Sequence, residues 1–104
     1  MPTTEIAGHQ IDVNDEGFLT DSTQWDETVG AELARLIGID MTDEHWAVIR
    51  FLRDDFKSRG QSATLRRTST VGGFDVKHLF ELFPGKPAKK MAYIAGLPKP
   101  VGCV

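Results

Sequence analysis

TDEHWAVIRFLRDDFKSRG, running from Thr42 to Gly60, is the stretch whose reading decides the fold. Trp46, Ile49, Leu52 and Phe56 recur at helical spacing, and Thr42 is a residue type that caps helix N-termini. Asp43 and Glu44 suit the positive end of a helix, and Gly60 suits its C-terminal stop. The spacing predicts a helix over roughly 43 to 59. Val48 and Phe51 widen its apolar face, so this helix should be central and touched from more than one side. Its outer edge carries Arg50, Arg53, Lys57 and Arg59.

Upstream, Val29, Leu33, Leu36 and Ile37 follow the same periodicity and Gly38 ends the pattern, which predicts a first amphipathic helix. Before it, Glu5-Ile6-Ala7 and Gln10-Ile11-Asp12-Val13 alternate as a short hairpin around Gly8-His9, closed off by a turn at Asn14-Asp15-Glu16-Gly17. Two strands alone are marginal, so the hairpin must pack on the helices.

Downstream, Ser62 is expected to cap a short helix through Ala63 to Arg67, ended by Val71-Gly72-Gly73. Asp75 caps another, with Val76, Leu79, Phe80 and Phe83 on one face and Pro84-Gly85 as its stop. Pro87 suits the first position of a last helix through Ala88 to Ala95, with Gly96 after it, Leu97 as the hydrophobic contact and Pro98 preventing continuation. Trp46, Phe51, Phe56, Phe80 and Phe83 are read as core residues. The fold class is therefore mainly α, a small bundle of about five helices with an N-terminal β-hairpin and a flexible extended C-terminal arm. Residues 1–96 form the body and 97–104 the arm.

A chain of 104 residues supports one core, and 40% hydrophobic with 26% charged residues is the balance of a folded globule. No apolar run reaches the roughly 18 residues of a membrane span, and the N-terminus lacks signal-peptide character, so a cytoplasmic protein is expected. Charge is unevenly spread: Met1 to Ile49 carries −10 and Arg50 to Val104 carries +7, for a net −3. Either the halves attract each other in the fold, or the basic half faces an acidic or nucleic-acid partner.

Several chemistries have no support. His9, His45 and His78 are scattered without ligand spacing, so neither a metal nor a cofactor is expected. The sequence has no Walker loop, no dinucleotide fingerprint and no nucleophile elbow. Arg66 and Arg67 beside Gly72-Gly73 permit a helix-turn-helix reading, but two short core helices with solvated arginines account for them more simply, so direct nucleic-acid binding is not expected.

There remains Cys103, the single cysteine, which has no internal disulfide partner. Pro98 and Pro100 disfavour helix and stiffen the chain before it, while Gly102 restores freedom beside the thiol. An arm from Leu97 to Cys103 would reach on the order of 20 Å. Such a thiol can enter a partner's site, take up sulfur as a persulfide and present it elsewhere. The Val104 carboxylate opposes a thiolate and Lys99 is the one positive charge in the arm, so activation is expected from the partner.

Ile94-Ala95-Gly96-Leu97-Pro98-Lys99-Pro100 with the penultimate Cys103 resembles the C-terminal arm of the DsrC/TusE family of sulfur-relay proteins. Gly17-Phe18-Leu19, Trp25, His45 to Phe51, Leu82-Phe83-Pro84 and Pro87-Ala88-Lys89 extend the resemblance over nearly the whole chain. It implies a helical fold with a mobile arm, and persulfide transfer at Cys103. DsrC-type members carry a second cysteine eleven residues before the penultimate one, where this chain has Ala92. The single thiol matches the TusE type, whereas the short Gln61 to Phe74 stretch is closer to the DsrC type, which leaves the subtype open. The resemblance implies a DsrE-like complex as donor, and as acceptor a tRNA thiolase making 2-thiouridine or a sulfite-reductase-like complex. The leading expectation is thus a sulfurtransferase-type carrier without a self-contained active site. Its rivals are an adaptor for a sulfite-reductase or heterodisulfide-reductase-like complex and the helix-turn-helix module. Lys89, Lys90 and Lys99, with Arg50 and Arg53, are the expected docking surface.

Overall fold

The computed structural model describes residues 3–100. Two antiparallel strands, β1 (Thr3–Ile6) and β2 (His9–Asp12), precede five helices: α1 (Glu27–Leu36), α2 (Asp43–Arg59), α3 (Leu65–Thr70), α4 (Val76–Leu82) and α5 (Pro87–Ile94). The mainly α bundle with an N-terminal hairpin is thus the observed architecture, and α2 spans the residues read from its periodicity.

The hairpin is shifted by one residue from expectation. Ile6 pairs with His9, so the turn residues are Ala7 and Gly8, at φ 51° and 82°, rather than Gly8 and His9. A two-residue turn with both φ values positive matches strand twist, and the register outweighs the strain at Ala7. That register puts Ile6 and Ile11 on one face, buried with Val13 and Leu19 against Val29 and Leu33 of α1.

The main core lies between α2, α4 and α5. Val48, Ile49, Leu52, Leu79, Phe83, Met91 and Ile94 are all fully buried in it. Trp46, Phe51 and Phe56 are only partly buried at its margin. The expected apolar face of α4 is split: Leu79 and Phe83 are inside, whereas Val76 and Phe80 are 39% and 45% exposed. A helix of two turns offers one narrow strip to a neighbour, and the 3.6-residue period carries Val76 and Phe80 out of it.

His45 joins α2 to α4. Its Nδ1 accepts from the Thr42 backbone N–H at 3.1 Å and lies 2.8 Å from the Thr42 hydroxyl, while its Nε2 lies 2.9 Å from the Leu82 carbonyl. A carbonyl can only accept, so Nε2 carries the proton and Nδ1 is the acceptor. Histidine here takes the place that glutamate fills in an ordinary capping box. The cap of α3 also differs from expectation: Thr64, not Ser62, accepts from the Arg67 N–H. Ser62 is turned toward the end of the chain.

Charge complementarity between the halves is partial. Glu44 of α2 pairs with His78 of α4, and Glu16 lies 3.6 Å from Lys89 and 3.4 Å from Lys99. The most buried carboxylate, Asp55, is satisfied within the basic half, by Arg67 at 2.7 Å and Arg59 at 3.2 Å. The Arg67 hydrogen bonds are the main cause that holds the Asp55 carboxyl below its ordinary range.

The C-terminus of α5 is buried, and its carbonyls each find a donor. Leu97 N–H donates to Ala92 O and Gly96 N–H to Tyr93 O, at 3.1 and 3.2 Å, the Schellman pattern. Trp25 Nε1 donates to Ile94 O at 2.7 Å, and Arg53 donates to Ala95 O at 2.7 Å. The indole of Trp25 lies between two glycines: a Cβ on Gly30 would stand 2.7 Å from its Cζ2, and one on Gly96 2.8 Å from its Cγ. Gly96 also needs φ +70°.

Gly96→Ala should therefore lose about 2 to 4 kcal/mol in urea denaturation, through left-handed strain plus displacement of Trp25. Gly38→Ala, at φ +76° with nothing near a Cβ, should lose only about 1 kcal/mol. Equal losses would remove Trp25 from the explanation.

The His78 hydrogen bonds to Glu44, and secondarily to Glu81, raise its pKa. A raised folded-state pKa means that the pair stabilises fully below the ordinary histidine value near ~6.5, and that this is lost as pH rises through the higher folded value. An NMR titration should find His78 above its ordinary value, and Glu44→Gln should bring it down.

Candidate functional site

Cys103 and Gly102, the thiol and its neighbouring glycine, lie outside the described residues. What the structure places is the root from which they are carried. The root does not leave the body after Gly96, as the prolines suggested. Leu97 is 1% exposed and belongs to the main core, and Pro100 is buried as well. Between them, the Ser62 hydroxyl donates to the Pro98 carbonyl at 2.5 Å, and Lys99 reaches Glu16. Leu97 supplies the apolar contact of the Schellman stop, which is why proline composition alone misplaced the point of departure.

Both partners of the root are set by local geometry. Asn14 Oδ1 accepts from the backbone N–H groups of Glu16 at 2.9 Å and Phe18 at 3.0 Å, which fixes the turn that presents Glu16. Tyr93 lies against this turn, edge-on to Phe18 at 5.6 Å and 81° between the ring planes. Burial pushes the Tyr93 phenol pKa up. Ser62 sits just after α2 and is buried, at 8% exposure.

Lys89 and Lys99 converge on Glu16, and Lys90 Nζ donates to the Pro84 carbonyl at 2.5 Å. With exposed Lys86, the side chains of Lys89, Lys90 and Glu16 edge a cleft of about 470 Å³ whose floor includes Phe18, Ile37 and Tyr93. The lysines expected to dock a partner are thus gathered beside the arm root. Arg50 is exposed and lines a separate, smaller cleft near Trp25 and Trp46.

Arg53 departs from expectation. Its guanidinium lies 4.2 Å from the Trp25 ring centroid and donates to Ala95 O at 2.7 Å and to Ser22 O at 3.0 Å. Burial lowers its pKa. Spacing placed it on the outer edge of α2, but the fold lays Ser22, Trp25 and the end of α5 over that edge. Arg67 is likewise engaged, donating through Nε and Nη2 to Asp55 at 2.7 to 3.1 Å, while Arg66 is exposed. Half of the basic pair in the helix-turn-helix reading is occupied within the fold.

Sequence reading missed Glu16 and Ser62. The Asn14 to Gly17 turn was visible, but the pairing of its carboxylate with a lysine 83 residues away was not. Ser62 carried a real signal, a polar residue at a helix boundary, which was assigned to the wrong end of the contact.

The family model for DsrC like protein matches residues 5–104. The chain is 38% identical over 104 residues to the Escherichia coli (strain K12) protein named Sulfurtransferase TusE, an alignment covering 93% of this chain and 95% of that one. The corresponding protein of Salmonella typhimurium is 36% identical with the same coverage. Among solved structures, Allochromatium vinosum DsrC superposes with TM-score 0.82 at 35% identity, covering 98% of this chain and 97% of that one. The oxidized gamma-subunit of the dissimilatory sulfite reductase (DsrC) from Archaeoglobus fulgidus gives 0.78 at 37%, covering 99% and 100%. Fold, arm sequence and full-length similarity agree, and the chain belongs to the DsrC-like family.

Proposed function

We propose that this protein is a sulfur carrier that accepts persulfide sulfur on Cys103 and passes it to a partner protein. The observation that carries this reading is that a chain of this family, similar over nearly its whole length to proteins named sulfurtransferase, holds one thiol, placed three residues beyond an anchored root.

The chemistry needs no cofactor. The Cys103 thiolate attacks the terminal sulfur of a donor cysteine persulfide; a new S–S bond forms at Cys103 as the donor's S–S bond breaks, and the electron pair leaves on the donor thiolate. The terminal sulfur keeps its proton, so no net oxidation occurs. Delivery repeats the step, with the acceptor's thiolate attacking the sulfur carried on Cys103. The donor fitted to this reading is a DsrE-like relay complex, and the acceptor a tRNA thiolase of the 2-thiouridine pathway.

Lys86, Lys89, Lys90 and Lys99 form the docking surface in this proposal, with exposed Arg50 as an outlying contact and Arg53 excluded by its structural engagement. Cytoplasmic partners of acidic character suit such a surface. Among the described residues no helix is long and apolar enough to cross a membrane.

A second reading is an adaptor for a sulfite-reductase-like complex, favoured by the similarity to the Archaeoglobus fulgidus gamma-subunit. Ala92 argues for the carrier: it is 1% exposed in α5 and, with no cysteine there, Cys103 has no internal sulfur partner.

Incubation with a persulfide-loaded DsrE-like complex should add one sulfur atom to the wild type, read by mass spectrometry, and none to Cys103→Ser. Sulfur retained by the variant would sink the assignment. Undiminished capture of Cys103→Ser by a sulfite-reductase-like complex, with no sulfur gained by the wild type, would favour the adaptor.

A further inference from the structure

The arm has two parts that proline content does not distinguish. Leu97 to Pro100 lie on the body, held by the buried Leu97 side chain, the Leu97 N–H to Ala92 O bond, the Ser62 hydroxyl on Pro98 O and Lys99 on Glu16. These contacts differ in strength. The Lys99–Glu16 pair is partly exposed at 3.4 Å, and such pairs contribute little. The Ser62 bond is made by a residue only 8% exposed, so it is largely shielded from competing water. Ser62 is therefore the principal polar tie beyond the Schellman stop, and it grips the backbone rather than a side chain.

Cys103 is the third residue after Pro100, a chain length of about 10 Å when extended. An arm departing at Gly96 would have had about twice that reach. Persulfide transfer requires the two sulfur atoms to touch, so with the root held a donor must bring its persulfide within about 10 Å of Pro100. That distance confines the donor to the neighbourhood of the arm root, which Ser62 and Glu16 contact and to which Glu16 joins Lys89.

We infer that Ser62 is a positioning residue for sulfur transfer: its hydrogen bond to the Pro98 carbonyl fixes the arm root, so that Cys103 is presented at short reach to a partner seated on the adjacent basic surface. This rests on the sulfur-carrier reading. Presentation in a restricted volume raises the effective concentration of the thiol at a docked persulfide, and a loosened root lowers it. A small soluble donor, which does not dock, gains nothing from the restriction.

The test compares wild type and Ser62→Ala with two donors, a persulfide-loaded DsrE-like complex and inorganic polysulfide, alongside ¹⁵N relaxation of Lys99, whose amide lies between two prolines that have none. Ser62→Ala should lower transfer from the protein donor by about tenfold, the scale of one hydrogen bond. Its rate with polysulfide should stay within about twofold of wild type, since chemistry at the thiol is untouched. The Lys99 order parameter should fall. Unchanged transfer from the protein donor, an equal loss with both donors, or an unchanged Lys99 order parameter would each overturn the positioning role. Failure of the carrier reading has a different signature: wild type itself would then take no sulfur from the protein donor, while still reacting with polysulfide as a free thiol does.

Discussion

The buried end of α5 is the constraint around which this small protein is arranged. A helix C-terminus exposes carbonyls without intrahelical donors, and away from water each such group costs about 1 to 3 kcal/mol when left unpaired. Here Leu97 and Gly96 amides answer Ala92 and Tyr93, the Trp25 indole answers Ile94, and Arg53 answers Ala95. The four donors come from Gly96 and Leu97 just after the helix, from Trp25 before α1, and from Arg53 of α2. Satisfying one helix end therefore joins the Trp25 segment and the arm root to the central helix. It also explains why Gly30 and Gly96 lack side chains, since Trp25 fills the space that a Cβ would need.

Most of the fold was legible because it rests on local signals. The period of Trp46, Ile49, Leu52 and Phe56 defined α2, and Gly38 and Gly96 marked the stops of α1 and α5. What was not legible depends on which elements meet. Arg53 lies on the outer side of α2 by spacing, and only the tertiary arrangement brings Trp25 and Ala95 to it. Phe80 reads as core by period and is 45% exposed, because no element covers that side of α4 among the described residues. Ser62 is a capping residue by type, but Thr64 takes the cap and Ser62 turns to Pro98. In the candidate site, Cys103, Lys89, Lys90 and Lys99 were named from residue type and resemblance, whereas the contacts that hold the root, Ser62 on Pro98 and Glu16 on Lys99, needed the structure.

The separation of charge along the sequence has a narrower meaning in space than the totals suggest. Asp55 is neutralised by Arg59 and Arg67 of its own half, and Glu16 meets two of the four lysines around the arm root. Lys86, Lys89, Lys90 and Lys99 outnumber Glu16 there, while Glu32 pairs with Arg35 and Glu44 with His78 away from these lysines. A uniformly acidic protein would repel an acidic donor at distance; a local basic surface orients the approach instead. Electrostatics of this kind set orientation and encounter rate more than final affinity.

An anchored root also changes the energetics of transfer. A partner that captures a long free arm must offset the conformational entropy of every residue it orders, at roughly 1 to 2 kcal/mol each for the backbone. Leu97 to Pro100 are already ordered by folding, so that cost is met by the core contact of Leu97 and the bond from Ser62 before any partner arrives. A carrier must bind each partner well enough to react and weakly enough to leave, and pre-ordering the root permits both with a small interface. The same economy makes a second thiol in α5 unnecessary for this role. Ala92 contributes its carbonyl to the Leu97 amide and its methyl to the core, helping to hold the arm root while leaving Cys103 free of an internal sulfur bridge.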